Sequence, residues 1–204
     1  MSAEQLSDGS RIEIRPLTGA DKTGLAAGLQ RLSPLSRYRR FLSPTSELSA
    51  SQLAYLTEVD HRDHEALVAV DPSSRDGLGV ARYVRSREHP EEAEVAVAVA
   101  DDWQRRGLGT VLLRHLAARA REEGITSFSG LLLRDNAPMR HLLETLGQVD
   151  VKDASTDTLE VSLRIPDDPL GEGRGRLARW LRAGALGHIA TRLHAARADD
   201  GEQA

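Results

Sequence analysis

The sequence predicts an α+β fold, in which helices flank a mixed but mostly antiparallel sheet. Apolar and alternating runs follow one another with only short turns between them, as in an antiparallel meander. A long amphipathic helix then separates two apolar runs in the middle of the chain. Such a strand–helix–strand crossover requires at least one parallel pair of strands. The chain has 204 residues, of which 40% are hydrophobic, and this is enough for one domain of that kind.

The N-terminal half of the chain predicts four strands and three helices. Residues 1–10 are polar and predict a disordered tail. Alternation or a short apolar run between turn residues predicts a strand, and apolar periodicity after a capping residue or a proline predicts a helix. In chain order the elements are a strand at 11–17, a helix capped by Asp21, a short helix within 33–44, a helix that opens at Ser46, and strands at 64–70, 77–86 and 93–100.

The C-terminal half predicts two further helices and a closing hairpin. The first helix follows a pair of glycines and ends at Gly124, which is a common helix stop. A strand at 127–133 and a helix at 136–147 come next, and "QVDVKDA" and "TLEVSLRI" then form the hairpin. The first helix is predicted from apolar residues at helical spacing, namely Leu108, Leu112, Leu113, Leu116 and Ala120.

The composition changes after Ile165. We therefore predict one domain over residues 11–165, followed by a linker and a basic amphipathic helical extension over 166–204. Residues 174–197 carry six arginines and no acidic residue, with apolar residues at helical spacings. Such an extension is expected to pack on the protein or to mediate a homodimer, and contact with an anionic membrane surface is the alternative.

Composition also excludes several classes of function. The chain has no cysteine, which excludes disulfides, thiolate metal sites and a cysteine nucleophile. Its net charge of -4 provides no global field that attracts nucleic acid. No apolar run approaches the roughly 18 residues of a membrane span, and the polar start is unlike a signal peptide. The expected location is the cytoplasm.

The stretch "DDWQRRGLGTVLLRHLAARARE" places two glycines where a strand meets the long helix. A helix N-terminus leaves backbone N–H groups unpaired, and glycines let an anion approach them. A pyrophosphate cradle and a tight turn with solvated arginines both fit this spacing. The stretch is neither a Walker A loop nor a dinucleotide fingerprint, because no Gly-Lys-Ser/Thr follows and Leu112 holds the third glycine position.

The pattern Gln104-x-x-Gly107-x-Gly109 between a strand and a long helix resembles the coenzyme A signature of the GNAT N-acetyltransferases. The predicted order of elements is similar to theirs. The segments "AEVAVAVADDWQRRGLGT", "RDNAPMR", "SRYRRF" and "VDHRDHEALVAV" resemble most the acetyltransferase domain of actinobacterial protein lysine acetyltransferases. The resemblance covers roughly residues 11–165 and implies that strands 93–100 and 127–133 are a parallel pair that splays to form a slot for the coenzyme.

The resemblance also implies acetyl-CoA as co-substrate, with no metal. The backbone of the strand would hold the pantetheine arm, and residues 104–110 would wrap the pyrophosphate. Asn136 matches an asparagine near the coenzyme, and it is also a candidate helix cap. The implied coenzyme-binding residues are Val97, Ala98, Val99, Gln104, Arg105, Arg106, Gly107, Leu108, Gly109, Thr110, Asn136 and Met139.

Acetyl transfer to an amine needs a group that accepts the proton of the amine. Glu94 lies where the related enzymes carry their base, so the resemblance implies that Glu94 is catalytic; otherwise it is a solvated strand residue. Its neighbours Ala93 and Val95 predict partial burial. Leu143 stands where many of these enzymes have a tyrosine that protonates the departing thiolate, so the general acid has no assigned residue.

The predicted function is transfer of an acetyl group from acetyl-CoA to a primary amine, by direct attack in a ternary complex. The resemblance favours a protein lysine as acceptor. A small-molecule amine is one alternative, and a non-catalytic acyl-CoA sensor is another.

The run "VDHRDH" also contains a potential metal set, formed by His61 and His64 beside Asp60 and Asp63. These residues lead into a strand, where positions three apart point to opposite faces. We therefore predict no metal there, and catalysis by His64 is a separate alternative.

Overall fold

The computed structural model of this protein describes residues 1–171. They form one sheet of eight strands with the spatial order β1-β2-β3-β4-β5-β6-β8-β7. All neighbouring strands are antiparallel except β5 and β6, so the predicted fold class is confirmed. The strands are β1 (Ser2–Gln5), β2 (Arg11–Pro16), β3 (His64–Val70), β4 (Gly77–Arg85), β5 (Glu92–Val99), β6 (Ser127–Leu133), β7 (Val149–Asp153) and β8 (Thr158–Arg164).

The helices lie close to their predicted positions. Gly124 follows the longest of them with φ of +79°, a conformation that glycine adopts without strain, and it ends that helix as predicted. Within the described residues the helices are α1 (Lys22–Gln30), α2 (Pro34–Phe41), α3 (Ala50–Thr57), α4 (Leu108–Glu122) and α5 (Ala137–Glu144).

Two helix starts differ from the predicted capping. Helix α3 begins later than expected because Ser49, not Ser46, accepts the N–H of Gln52 and forms a capping box with it. Asp21 does precede α1, but its carboxylate accepts no hydrogen bond from that helix. It accepts instead from the N–H of Thr18 and from Arg15, and so ties the start of α1 to β2.

The prediction of a disordered tail at residues 1–10 is wrong. Residues 2–5 form β1, which pairs with β2 from Ser2 opposite Ile14 to Gln5 opposite Arg11. The polar composition hid this strand, because an edge strand needs few apolar side chains. Leu6 is buried at the turn that follows, and Gly9 closes that turn with φ of +86°.

The sheet is covered on both faces. Helix α4 packs on β3, β4 and β5, and Leu112, Leu113 and Leu116 on its inner side are fully buried. The other face carries a smaller apolar cluster around Leu17, Val68 and neighbouring residues, next to α1. The predicted amphipathic face of α4 therefore forms the main core.

The parallel pair separates after a short contact. The register pairs Glu92 with Ser127 and ends where Glu94 lies opposite Ser129. Strand β5 then continues to Val99, and β6 continues to Leu133 beside β8. A gap therefore opens between the C-terminal ends of β5 and β6, as the splayed pair predicts.

Residues Met1–Pro169 form one compact unit, which includes the predicted domain over 11–165. In this described part of the chain no helix has the length and apolar character needed to cross a bilayer. The basic amphipathic extension predicted at 174–197 lies outside the described residues.

Candidate active site

A groove of about 580 Å³ lies where β5 and β6 separate. Its walls come from β5, from the turn before α4, from the end of β6 with α5, and from α2. The fold brings most of the predicted site residues together here. Those that line the groove are Glu94, Val97, Ala98, Val99, Gln104, Arg105, Gly107, Gly109, Thr110, Asn136 and Met139.

One end of the groove presents unpaired backbone donors. Within residues 1–171, the amide N–H groups of residues 105–110 donate no hydrogen bond. They include the first N–H groups of α4, where the helix dipole adds partial positive charge. Four of these six residues line the groove, namely Arg105, Gly107, Gly109 and Thr110, and their free donors make a site that suits a phosphate or pyrophosphate.

The two glycines of this turn serve different purposes. Gly107 is the residue before α4 and has φ of +88°, which disfavours any side chain. Gly109 has ordinary helical geometry, but a Cβ there would lie 3.2 Å from Cδ2 of Leu142. Gly107 therefore shapes the turn, and Gly109 lets α5 approach the start of α4.

Two predicted coenzyme residues have side chains outside the groove. The Arg106 guanidinium lies 4.8 Å from the centre of the Trp103 ring and 3.5 Å from an Asp8 carboxylate oxygen. Leu108 is buried in the core. Only the backbone N–H groups of these two residues belong to the row of free donors.

Gln104 anchors the turn to its surroundings. Its side-chain amide donates to the carbonyl of Val99 at 3.1 Å, to Asp101 at 3.0 Å and to Ser36 at 3.3 Å. The residue thus joins the end of β5, the turn and α2, so it holds the walls of the groove in position.

Asn136 begins the opposite wall. Its side-chain oxygen accepts the N–H of Met139 at 3.3 Å, so it caps α5 as one of the two interpretations predicted. Asn136 is almost fully buried and lines the groove, and its amide nitrogen donates no hydrogen bond within the described part of the chain. The cap therefore leaves a donor for a ligand.

Glu94 lies on β5 where the two strands begin to separate. Among the described residues it is the one carboxylate that lines the groove. The partial burial expected for it is not found, because its side chain is exposed. Its face of β5 continues in the small residues Ala96 and Ala98, which leave the carboxylate open to the groove.

The tyrosine position held by Leu143 is closed to chemistry. Leu143 is buried in the main core and lines no part of the groove. His141, Leu142 and Thr145 line this wall instead, and the Thr145 hydroxyl donates to the carbonyl of Leu142 at 2.7 Å.

Helix α2, for which the sequence predicted no role in the site, covers the groove on one side. Ser36, Arg39, Arg40 and Phe41 all line it. Arg39 reaches the far wall, where its guanidinium lies 3.7 Å from the Asp135 carboxylate. The signal was the density of arginine in "SRYRRF", which a short helix at the surface does not need for stability.

The histidine and aspartate side chains of the run "VDHRDH" bind different partners and do not converge on one site. His61 contacts the buried carboxylate of Glu65 at 2.7 Å, whereas His64 contacts Arg82 at 3.2 Å. Asp60 accepts the N–H groups of the three residues at 62–64, and Asp63 pairs with Arg85. The described residues contain no group of three or more metal-ligating side chains.

Comparison with known proteins identifies relatives that match more than half of this chain. A protein-family model described as the acetyltransferase (GNAT) family matches residues 35–148. "Acetyltransferase PA5475" from Pseudomonas aeruginosa is 36% identical over 158 residues, which are 76% of this chain and 84% of that protein. "Acetyltransferase Pat" from Mycolicibacterium smegmatis is 35% identical over 152 residues, 73% of this chain but only 44% of that protein.

A solved structure agrees with these relatives. The GNAT domain of S. lividans PAT superposes with a TM-score of 0.75 at 30% sequence identity, and the match covers 80% of this chain and 96% of that one. The likeness therefore extends over most of this chain.

Proposed function

Because this chain belongs to the acetyltransferase (GNAT) family and is an acyltransferase, we propose that it transfers the acetyl group of acetyl-CoA to a primary amine of a protein lysine. The observation that carries this proposal is the groove, which joins a row of free N–H donors to a single carboxylate through the open edge of β5. The family resemblance supports lysine as the acceptor.

Acetyl-CoA fits the groove from its phosphate end. The free N–H groups of residues 105–110 would bind the pyrophosphate, with Arg105 adding charge. The pantetheine arm would lie along β5 beyond Glu94, where no strand pairs with that edge within the described residues. The amide nitrogen of Asn136 and the side chain of Met139 would contact the arm from the other wall.

The chemistry takes place at the Glu94 end of this path. A lysine ammonium, with an ordinary pKa near 10.4, must lose a proton before it attacks. Glu94 accepts that proton, directly or through water, and the free amine attacks the thioester carbonyl. A backbone N–H on the open edge of β5 stabilises the developing oxyanion, and the C–S bond then breaks to release coenzyme A.

A coenzyme A release assay with acetyl-CoA and lysine-containing peptides tests this function. We expect turnover that requires both substrates and saturates in each, together with an Nε-acetyl group on the peptide by mass spectrometry. A comparison of acetylated proteins in deletion and wild-type cells then identifies the acceptors. Turnover on small amines but on no peptide would redirect the proposal to a small-molecule acceptor, and acetyl-CoA binding with no turnover on any amine would favour a sensor.

A further inference from the structure

A second cavity adjoins the groove on the face of the sheet that carries α1, α2 and α3. It has a volume of about 120 Å³ and shares Leu32, Arg40, Phe41, Ala96 and Ala98 with the groove. Its other walls are mostly apolar, from the Val68 and Val80 side of the sheet and the Leu25 side of α1. We call this cavity the arginine chamber, because four arginines line it as well.

Two of these arginines have carboxylate partners and two do not. Arg15 pairs with Asp21 at 2.6 Å, and Arg75 pairs with Glu13 at 2.7 Å. Arg40 and Arg82 make no ion pair with any carboxylate in residues 1–171. Asp21, the partner of Arg15, also lines the chamber, so two of its four cationic groups have no carboxylate partner among the described residues.

Within residues 1–171, the hydrogen-bond partners of Arg82 are neutral groups. Its side chain extends from β4 and is only 6% exposed. One guanidinium nitrogen lies 3.2 Å from Nε2 of His64, and the other donates to the carbonyl of Leu56 at 3.0 Å. Burial lowers the pKa of Arg82, and the nearby charge of Arg40 lowers it further, to about 10.

Arg40 donates no hydrogen bond within the described residues. Its guanidinium lies 5.0 Å from the centre of the Phe41 ring. Burial lowers the pKa of Arg40, and the charge of Glu94 partly offsets this effect. Glu94 is exposed and makes no direct contact with Arg40, so it leaves the guanidinium donors available.

Two largely desolvated cations that line one cavity are costly unless an anion joins them. A carboxylate would relieve this cost, because the planar guanidinium donates two parallel hydrogen bonds to it. The positions of Glu94 and Arg82 along the sheet also suit a ligand that carries both an amine and a carboxylate. Glu94 lies opposite Val84 in the strand register, and Ala96, next on the same face, lies opposite Arg82. An amine at Glu94 would thus have a carboxylate receptor beside it.

We propose that Arg40 and Arg82 bind a carboxylate that the amine acceptor carries. This inference rests on the proposed function and specifies its substrate class: an amine linked to an acidic group. In a protein acceptor the carboxylate belongs to an aspartate or glutamate near the acetylated lysine. In a small acceptor it belongs to an amino acid.

Matched acceptors test the proposal by kinetics. One set is a series of blocked peptides with a single lysine and a glutamate at successive flanking positions, each compared with its glutamine counterpart. The other set is γ-aminobutyrate and ε-aminocaproate compared with alkylamines of the same length. We expect kcat/KM to favour at least one carboxylated member by about tenfold or more, as a charge-assisted hydrogen-bond pair provides. The set that shows the preference identifies the source of the carboxylate.

Arg40→Gln and Arg82→Gln should each abolish that preference, and Arg82→Gln should change the dissociation constant of acetyl-CoA less than twofold, because Arg82 does not line the groove. Arg75→Gln is the matched control, because Arg75 lines the same chamber but is exposed and paired with Glu13. It should keep the full preference. Thermal unfolding of each variant verifies that it is folded, and Arg40→Gln alone suffices if Arg82→Gln does not fold.

Binding is measured separately so that the receptor is tested even without transfer. Calorimetry of ε-aminocaproate and hexylamine against protein saturated with coenzyme A should show tighter binding of the carboxylated ligand in wild type only. If transfer fails on every amine but this difference holds, the proposed function is wrong and the receptor stands. Equal binding and equal kcat/KM for carboxylated and neutral partners, or a preference that survives both substitutions, would overturn the receptor.

Discussion

Glu94 provides the most direct test at the scale of one residue. Glu94→Gln keeps the shape of the side chain and removes the proton acceptor. We expect turnover at neutral pH to fall by about 100-fold or more, because general-base assistance typically contributes 10² to 10⁴. Turnover should recover in part toward pH 10, where the lysine amine deprotonates without help. Steady-state kinetics over a pH series measures both effects.

The matched control for this substitution is Glu92→Gln. Glu92 begins the same strand and lies on the same face, but it does not line the groove. It should retain near-wild-type turnover, and both variants should bind acetyl-CoA normally. Near-wild-type turnover in Glu94→Gln, with the chemical step shown to be rate-limiting, would remove Glu94 from the mechanism.

Gly107 tests the row of free N–H donors. Gly107→Ala places a Cβ on a residue with φ of +88°, which costs about 1 to 2 kcal/mol unless the turn rearranges. Rearrangement would move the N–H groups that face the groove. We expect the affinity for acetyl-CoA to fall at least tenfold, about 1.4 kcal/mol, by calorimetry on the folded variant.

Gly124→Ala is the control, since Gly124 has φ of +79° at the other end of the same helix and lies away from the groove. Both variants should lose a similar amount of stability. A lower affinity for acetyl-CoA in Gly107→Ala alone would therefore come from the change in the turn. An equal loss of affinity in the two, or none in either, would count against the cradle.

At the scale of secondary structure, hydrophobic periodicity predicted most elements, because the side chains that pack in the core recur at the period of their helix or strand. The spacing of Leu112 and Leu116 indicates α4, and both are fully buried. The strand β1 was missed because its side chains are polar and its stability comes from pairing with β2. Such pairing depends on residues distant in the chain, so no local pattern reports it.

The groove, too, was predicted from the sequence only in part. Its glycine turn and β5 are contiguous in sequence and carry a motif, so they were predictable. The contribution of α2 was not, because Arg40, Ala96 and Arg82 come to line one cavity only after α2, β5 and β4 pack together. The exposure of Glu94 was also mispredicted, since burial at a splayed strand depends on what covers that face.

The start of α1 supports a prediction about pH. Hydrogen bonds from Arg15, with those from Thr18, lower the pKa of Asp21 to about 2 from its usual 3.8. A carboxylate with a lowered pKa in the folded state stabilises the fold above its unfolded pKa, and this contribution is lost as the pH falls from about 4 to about 2. Asp21→Asn should therefore flatten the decline of the unfolding free energy in that range.

Urea denaturation at several pH values measures this slope. Asp76→Asn is a suitable control, because Asp76 is an exposed turn residue whose carboxylate accepts a hydrogen bond from Ser74 and from no other side chain among the described residues. It should leave the slope between pH 4 and 2 close to that of the wild type. A wild-type slope in Asp21→Asn would show that the Arg15 contact contributes nothing to acid stability.

At the scale of the whole molecule, the sheet is two halves joined by a short seam. Strands β1 to β5 form one half and β6 to β8 the other, and the parallel register between them extends only from Glu92 to Glu94. Beyond the seam the groove separates the halves, and the chain passes from one half to the other through α4, which connects β5 to β6. A ligand in the groove would replace the missing strand contacts.

Coenzyme A should therefore stabilise the fold across this seam. At a concentration one hundred times its dissociation constant it should add about 2.7 kcal/mol to the free energy of unfolding, provided that it binds the folded state alone. Hydrogen exchange should slow most at residues 105–110, where the free donors lie, and at those N–H groups of residues 95–99 that face the open edge of β5 rather than β4, and it should change little in β7 and β8. Gly107→Ala should lose the protection at 105–110 at the same ligand concentration. Protection spread evenly over the sheet would instead indicate global stabilisation from a site elsewhere, and the groove would then not be where the coenzyme binds.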